Sequence, residues 1–265
     1  MDGNRIMKRV KLIVAYDGTN YCGWQVQPNG VTIESELNKH LSELLKEEIR
    51  VRGASRTDAG VHADGNVAVF DTSARMPAEK ISYAMNTRLP ADIRIQDSRE
   101  VPMDFHPRFC NTVKTYEYRI CNRRFANPCE RLYSLFYYWN LDAEKMQQAG
   151  NYLVGTHDFT SFCTNKPEVT DRVRTIYSLD VKRDGDMITV RVRGNGFLYN
   201  MVRIIVGTLL RVGSGMMQPE EIPEILEAKD RGRAGDTARP EGLRLVKIEY
   251  PDYSGHSWED RVSGS

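Results

Sequence analysis

The sequence predicts an α+β fold: two halves of mixed, mainly antiparallel sheet joined around a central cleft. Three observations lead there. At roughly 150 residues per domain, 265 residues make about two domains. Short stretches of period-two alternation take turns with stretches whose apolar residues recur at helical spacing. The elements up to Val101 run β-α-β-β-α-β, and the remainder echoes that order less cleanly.

In the first half, residues 9–16 (RVKLIVAY) are β-rich and read as a strand. Thr32 is placed to N-cap a helix from Ile33 to about Glu47, with Ile33, Leu37, Leu41, Leu44 and Leu45 on one face. Ile49 to Arg52 looks like a short strand. SRTDAGVHADG then breaks all periodicity, and a strand resumes with Val67 and Val69. Pro77 suits the first turn of a helix reaching about Arg88. Ile93 to Val101 closes a unit with ferredoxin-like, RRM-like order.

In the second half, TYEYRI (115–120) puts Tyr116, Tyr118 and Ile120 on one face, and Ser134 to Trp139 is an aromatic-rich strand. Asp142 caps a helix to about Val154, with Gly155 as its stop. Strands at 173–182 and 187–193 precede an apolar helix, Leu198 to Val212, ended by Gly213. Pro219 opens another helix to about Lys229, and Leu243 to Tyr250 is a last strand. The boundary lies near Val101 to Arg108, dividing the chain into 1–104, with the SRTDAG loop, and 105–265.

Composition excludes several classes. With 40% hydrophobic and 28% charged residues the chain is neither disordered, collagenous nor coiled coil. The longest apolar stretch, Ile204 to Leu210, is bracketed by arginines and far short of the about 20 residues a membrane span needs. The N-terminus lacks the apolar core of a signal peptide. The five cysteines are an odd number without a CxxC pair, which reads as reduced thiols in a cytoplasm. Net charge is +1 and predicts no partner. Basic residues outnumber acidic ones six to three between Met103 and Arg131, and nine to five between Lys166 and Arg211. Such runs are either solvated surface or, folded onto one face, an attractor for a polyanion.

Chemistry concentrates in Ser55-Arg56-Thr57-Asp58-Ala59-Gly60-Val61-His62. On its own terms this loop is either a surface turn with a local ion pair or a catalytic carboxylate kept ionised by arginine.

The stretch ASRTDAGVHA (54–63) resembles the signature loop of the TruA family of tRNA pseudouridine synthases. AYDGTNYCGWQVQPN (15–29), DFHPRFCNTVKTYEYRI (104–120), HDFTSF (157–162), VRTIYSL (173–179), GNGFLYNMVRIIVGTLLRVG (194–213) and EGLRLVKIEYP (241–251) are similar to its other motifs, in the family's order. The resemblance spans about residues 9–251. It implies isomerisation of uridine to pseudouridine at positions 38, 39 and 40 of the tRNA anticodon stem-loop, without a cofactor, in a cytoplasmic homodimer. The N1–C1′ bond breaks, the uracil turns, and C5 bonds to C1′.

The resemblance also assigns residues. Asp58 matches the family's invariant aspartate, acting on C1′ or on the uracil ring. Tyr116 matches a tyrosine whose ring stacks on the extruded uracil. Arg203 matches the arginine of the MVR motif; set in an apolar helix, it needs an anionic partner, for which Asp58 is the natural candidate. Arg56 helps open the stem and hold the flipped nucleotide. His62 and His106 contact phosphate or cap the loop. Arg108 and Lys114, with Arg119, Arg123 and Arg124, are candidate backbone contacts. Asn195 and Phe197 shape the cleft, Tyr118 belongs to core or cleft wall, and Leu245 to core beneath the site. Ser55, Asn200 and Pro107 depart from the family's usual glycine, histidine and small residue. They leave the catalytic groups intact and bear on which uridines, or which RNA, are modified.

Two other classes compete. A non-catalytic RNA-binding protein would not need Asp58, Tyr116 and Arg203 together, and no RRM aromatic signature is present. A metal-dependent hydrolase would use Asp58, His62, Asp104 and His106, but HExxH and paired CxxC patterns are missing. The GxG at 194–196 lacks the third glycine of a dinucleotide loop.

Overall fold

The computed structural model describes residues 6–164 and 170–253. They form two compact units, divided at Thr112/Val113 and again at Arg244/Leu245.

The first unit opens with β1 (Lys8–Tyr16), α1 (Ile33–Leu45), β2 (Arg52–Gly53), β3 (His62–Thr72), α2 (Ala78–Asn86) and β4 (Ile93–Val101). Strand β1 lies between antiparallel β3 and β4, and β2 pairs with β3, which gives the order β4-β1-β3-β2 of a ferredoxin-like sheet. Helix α1 starts where the sequence places it. Thr32 accepts the Ser35 N–H, and the Ser35 hydroxyl accepts the Thr32 N–H, a reciprocal cap. Ile33, Leu37 and Leu41 are fully buried, each removing on the order of 2 kcal/mol of apolar surface from water.

Two expected boundaries move. The strand expected at Ile49–Arg52 shrinks to Arg52–Gly53. The Ile49 N–H donates to Ser42 Oγ and the Val51 N–H to Asn38 Oδ1, so α1 side chains take groups that a ladder would use. Strand β3 starts at His62 rather than Val67, although Asp64 and Gly65 are poor strand formers. A Cβ on Gly65 would lie 3.0 Å from the Val246 carbonyl, so the absent side chain lets the terminal strand approach.

Asp104–Thr112 belongs to this unit, as do residues 245–253, whereas the sequence divides the chain after 104. Phe105 is buried on Val69 and Val101 and packs edge-on against Tyr250 and Tyr253. Arg9 donates to the carbonyls of Met103 and Phe105 and holds Asp71 with both its Nε and Nη2. Arg52 donates to the same carboxylate, and these bonds, Arg9 foremost, keep the Asp71 pKa low.

The second unit contains β5 (Val113–Asn122), β6 (Leu135–Tyr137), α3 (Ala143–Asn151), β7 (Gly155–Asp158), β8 (Val173–Asp184), β9 (Met187–Gly194), α4 (Met201–Gly213) and α5 (Ile222–Ala228). Strand β10 (Leu243–Glu249) follows across the second division point. The order β5-β9-β8 repeats β1-β3-β2, with β7 beyond β8 and β6 parallel to the end of β5. Four-residue β7 is too short to show a period. Helix α4 begins at Met201 rather than Leu198 because Asn200 sits at φ 61, outside helical space. Tyr118 is fully buried and donates to the Arg239 carbonyl, as a core residue should. The five cysteines are free thiols. Among the described residues no helix is long and apolar enough to cross a membrane.

Candidate active site

The signature loop joins β2 to β3 and is held by its backbone. Asn66, fully buried at the start of β3, accepts the Ser55 N–H and donates to both the Ser55 carbonyl and Tyr16 Oη. Tyr16 Oη shares a 2.7 Å hydrogen bond with Thr57 Oγ1, and the Thr57 carbonyl accepts the Trp24 N–H. Asp58, Ala59, Gly60 and Val61 then form a turn closed by the Val61 N–H on the Asp58 carbonyl, with Gly60 at φ 77 in the third position. Gly23, at φ 85, comes so close that a Cβ would stand 2.7 Å from the Thr57 carbonyl. A larger residue there would push the turn out of place.

The side chains divide by depth. Ser55 and Thr57 are buried, Asp58 is half-buried and Arg56 is exposed. Arg56 makes no hydrogen bond or ion pair among the described residues, so its donors face water. His62 is buried. Its Nδ1 lies 3.1 Å from both the Gly18 N–H and Asp17 Oδ1. One nitrogen cannot accept from the first while donating to the second. Either way His62 braces the Asp17–Gly18 turn, which favours the loop-capping alternative over phosphate contact.

His106 and Arg108 follow in a compact turn. The Arg108 N–H donates to His106 Nδ1, and the Arg108 guanidinium donates to the Gly53 carbonyl, one residue before the signature loop. Burial, then Arg52, Arg108 and Arg9, push the His106 pKa down, consistent with a neutral ring that accepts at Nδ1. Burial and then the Arg56 charge lower the Arg108 pKa, and Glu34 acts against them. Pro107 is buried, and its carbonyl accepts the Tyr250 hydroxyl.

In the second unit, Tyr116 on β5 is 9% exposed and meets Phe197 edge to face, centroids 5.2 Å apart. Lys114 stands two residues earlier, opposite Gly194. Asn195 is exposed, and its Oδ1 accepts the Thr175 N–H, closing the end of the β8–β9 pair. Arg203 is half-buried in the first turn of α4. Its Nε donates to the Ala238 carbonyl at 2.6 Å and its Nη1 to Asn200 Oδ1 at 3.1 Å. Asn200 is thus a second anchor for Arg203, and it adopts a left-handed conformation that asparagine tolerates.

Sequence reasoning named Asp58, Arg56 and Arg203 but missed Asn66, Trp24 and Gly23, which hold the turn. Tyr16 and Gly23 lie inside the quoted 15–29 motif, so that motif's role as a brace was within reach; nothing local marks Asn66. Among the described residues no three His, Cys, Asp or Glu side chains gather as a metal-ligand set. Asp58, His62, Asp104 and His106 therefore do not form the cluster a metal hydrolase requires.

The pattern that defines the tRNA pseudouridine synthase family matches residues 12–110 and 149–251. The tRNA pseudouridine synthase A of Brevibacillus brevis is 49% identical over 244 residues, covering 92% of this chain and all of that protein. That of Exiguobacterium sp. is 49% identical, covering 92% of this chain and 98% of its own. That of Thermoanaerobacter sp. is 46% identical, covering 92% and 100%. The chain belongs to the tRNA pseudouridine synthase family. It is an isomerase of tRNA uridine.

Proposed function

We propose that the enzyme forms pseudouridine at positions 38, 39 and 40 of the tRNA anticodon stem-loop, with Asp58 as its essential group and no cofactor. The observation that carries the reading is the Asp58 turn. Its backbone is fixed by Tyr16, Trp24, Asn66 and Gly60, and the exposed Arg56 lies two residues away on the same loop. Either route, attack at C1′ or at the uracil ring, needs the carboxylate in its ionised form. The isomerisation gains and loses no atoms, so the chemistry requires only that the base be extruded, held and turned. Tyr116 supplies a ring to stack on the uracil, Arg203 an anchored cation, and Arg56 a cation for the displaced strand. Lys114 and Arg108 meet phosphates, and Asn195 and Phe197 shape the wall. The resemblance further implies a homodimer at work in the cytoplasm.

The test is to incubate purified protein with unmodified tRNA transcripts in EDTA, map pseudouridine by carbodiimide-dependent primer extension, and determine mass by sedimentation. Pseudouridine at 38, 39 and 40 from a dimer is the expected result. Product at other uridines would overturn the positional assignment, and dependence on an added metal would overturn the cofactor-free one.

A further inference from the structure

Phe109 is 84% exposed, yet its ring is not loose. One face lies on the His106 imidazole, with centroids 4.1 Å apart and planes 20° apart. The turn beneath is closed three times: Cys110 N–H to the His106 carbonyl, His106 N–H to Cys110 Sγ, and Arg108 N–H to His106 Nδ1. Buried Pro107 pins the turn to Tyr250. The result is a rigid flat ring with its outer face open, in a first unit whose core has no use for it.

Its surroundings are cationic. Arg108 projects from the same turn, and Arg56 is close enough to disfavour the Arg108 charge. Arg52 and Arg9 also act on His106, and both bond to Asp71, whose single charge offsets only one of them; Glu34 acts on Arg108 in the opposite sense. Two exposed guanidinium groups held near one another repel unless an anion lies between them. A planar apolar face beside an exposed arginine, with a second arginine acting on the first, is the combination that single-stranded nucleic acid meets on its binding proteins: bases stack on the ring while guanidinium groups follow the phosphates.

We infer that Phe109, backed by His106, is a stacking platform for one unpaired nucleobase of the tRNA, with Arg56 and Arg108 holding the phosphates beside it. This rests on the proposed action at the neighbouring Asp58 loop, and it adds a contact outside the reacting uridine. The base identity is not read, because stacking uses only the π face.

The test compares wild type with Phe109→Leu, Phe109→Trp and, as a control exposed aromatic on α2, Tyr83→Leu. Kd for a tRNA transcript is measured by filter binding, KM by pseudouridine formation, and mass by sedimentation. Leucine keeps apolar bulk but has no π face. Kd and KM should rise roughly 5- to 150-fold in Phe109→Leu, the loss typical of one base–aromatic contact. Tyr83→Leu should match wild type. Phe109→Trp should keep its affinity, and its added fluorescence should be quenched by tRNA. Thermal unfolding of Phe109→Leu should stay at the wild-type value, since the ring is not core. Equal Kd for Phe109→Leu and wild type would overturn the platform, and so would a changed sedimentation at unchanged Kd, which would make Phe109 a contact between copies. A wild-type protein that binds tRNA through Phe109 yet forms no pseudouridine would instead sink the proposed function and leave the platform standing.

Discussion

Asp58 sits on a turn whose backbone is anchored by Thr57 to Tyr16 and Trp24 and by the Val61 N–H on the Asp58 carbonyl. Asp58→Asn therefore removes the charge without releasing the turn. Turnover, followed by tritium release from 5-tritiated uridine in tRNA, should fall on the order of 10³-fold or more, as for loss of a nucleophile. Melting temperature and tRNA affinity should stay near wild type. Substantial turnover in the pure variant would reject the assignment. This residue was legible because its neighbours are chemically unusual in sequence. Lys11 was not: it lies within a strand read simply as β-rich. It is 4% exposed, over the Phe105 ring, and burial pulls its pKa from 10.5 down to about 8. Below pH 8 the native state holds a buried ammonium that unfolding would hydrate. Between pH 8 and 10.5 the unfolded chain binds the extra proton, so the Lys11 contribution to stability rises with pH across that window. Lys11→Met should thus be more stable than wild type at pH 7 in urea melts, with the difference shrinking by pH 10. An advantage independent of pH would show that Lys11 does not titrate there.

At the scale of elements, helices were read closely and the strands around the site were not. Thr32, Asp142 and Pro219 are local signals that act on their own neighbours, which is why α1, α3 and the entry to α5 start near their expected places. The ends of β2 and β3 depend on side chains outside the strands: Asn38 and Ser42 on α1 take the N–H groups ahead of β2, while Gly65 admits the terminal strand beside β3. Asn66 is the clearest case, an unremarked polar residue that joins β3 to both the signature loop and β1. Asn66→Ala leaves the Ser55 N–H and carbonyl short of partners in a buried place, while the Tyr16 hydroxyl keeps its bond to Thr57. At about 1–3 kcal/mol for each unsatisfied group, partly relieved by water, stability should fall by roughly 2–4 kcal/mol in denaturant melts. Amide exchange at Ser55 and Thr57 should accelerate, and kcat should drop more than tRNA affinity. A loss of stability with unchanged exchange in the loop would mean that Asn66 serves the sheet alone.

For the whole molecule, the doubled α+β order was visible because it is carried by hydrophobic period, whereas the path of the chain between units was not. Nothing local tells that Phe105 packs with Tyr250 and Tyr253, so that the chain returns to its first unit at the end. Charge raises the same difficulty. A net charge of +1 gives no long-range pull on RNA, so affinity has to come from local surplus. Arg119, Arg123 and Arg191 are already engaged with Glu130, Asp186 and Glu117, which removes part of the surplus counted along the sequence. Among the described residues Arg56 carries no such partner. If about five phosphates are neutralised, log affinity for tRNA should fall linearly with log salt at a slope of roughly −4. Arg56→Ala should reduce that slope by about one unit, as expected for one lost phosphate contact. Arg123→Ala, which gives up a cation already paired with Asp186, should change it by much less. Titrations of the three proteins between 50 and 300 mM KCl decide the matter. Equal slopes for all three would place the phosphate contacts elsewhere on the surface and leave Arg56 with a role confined to the flipped nucleotide.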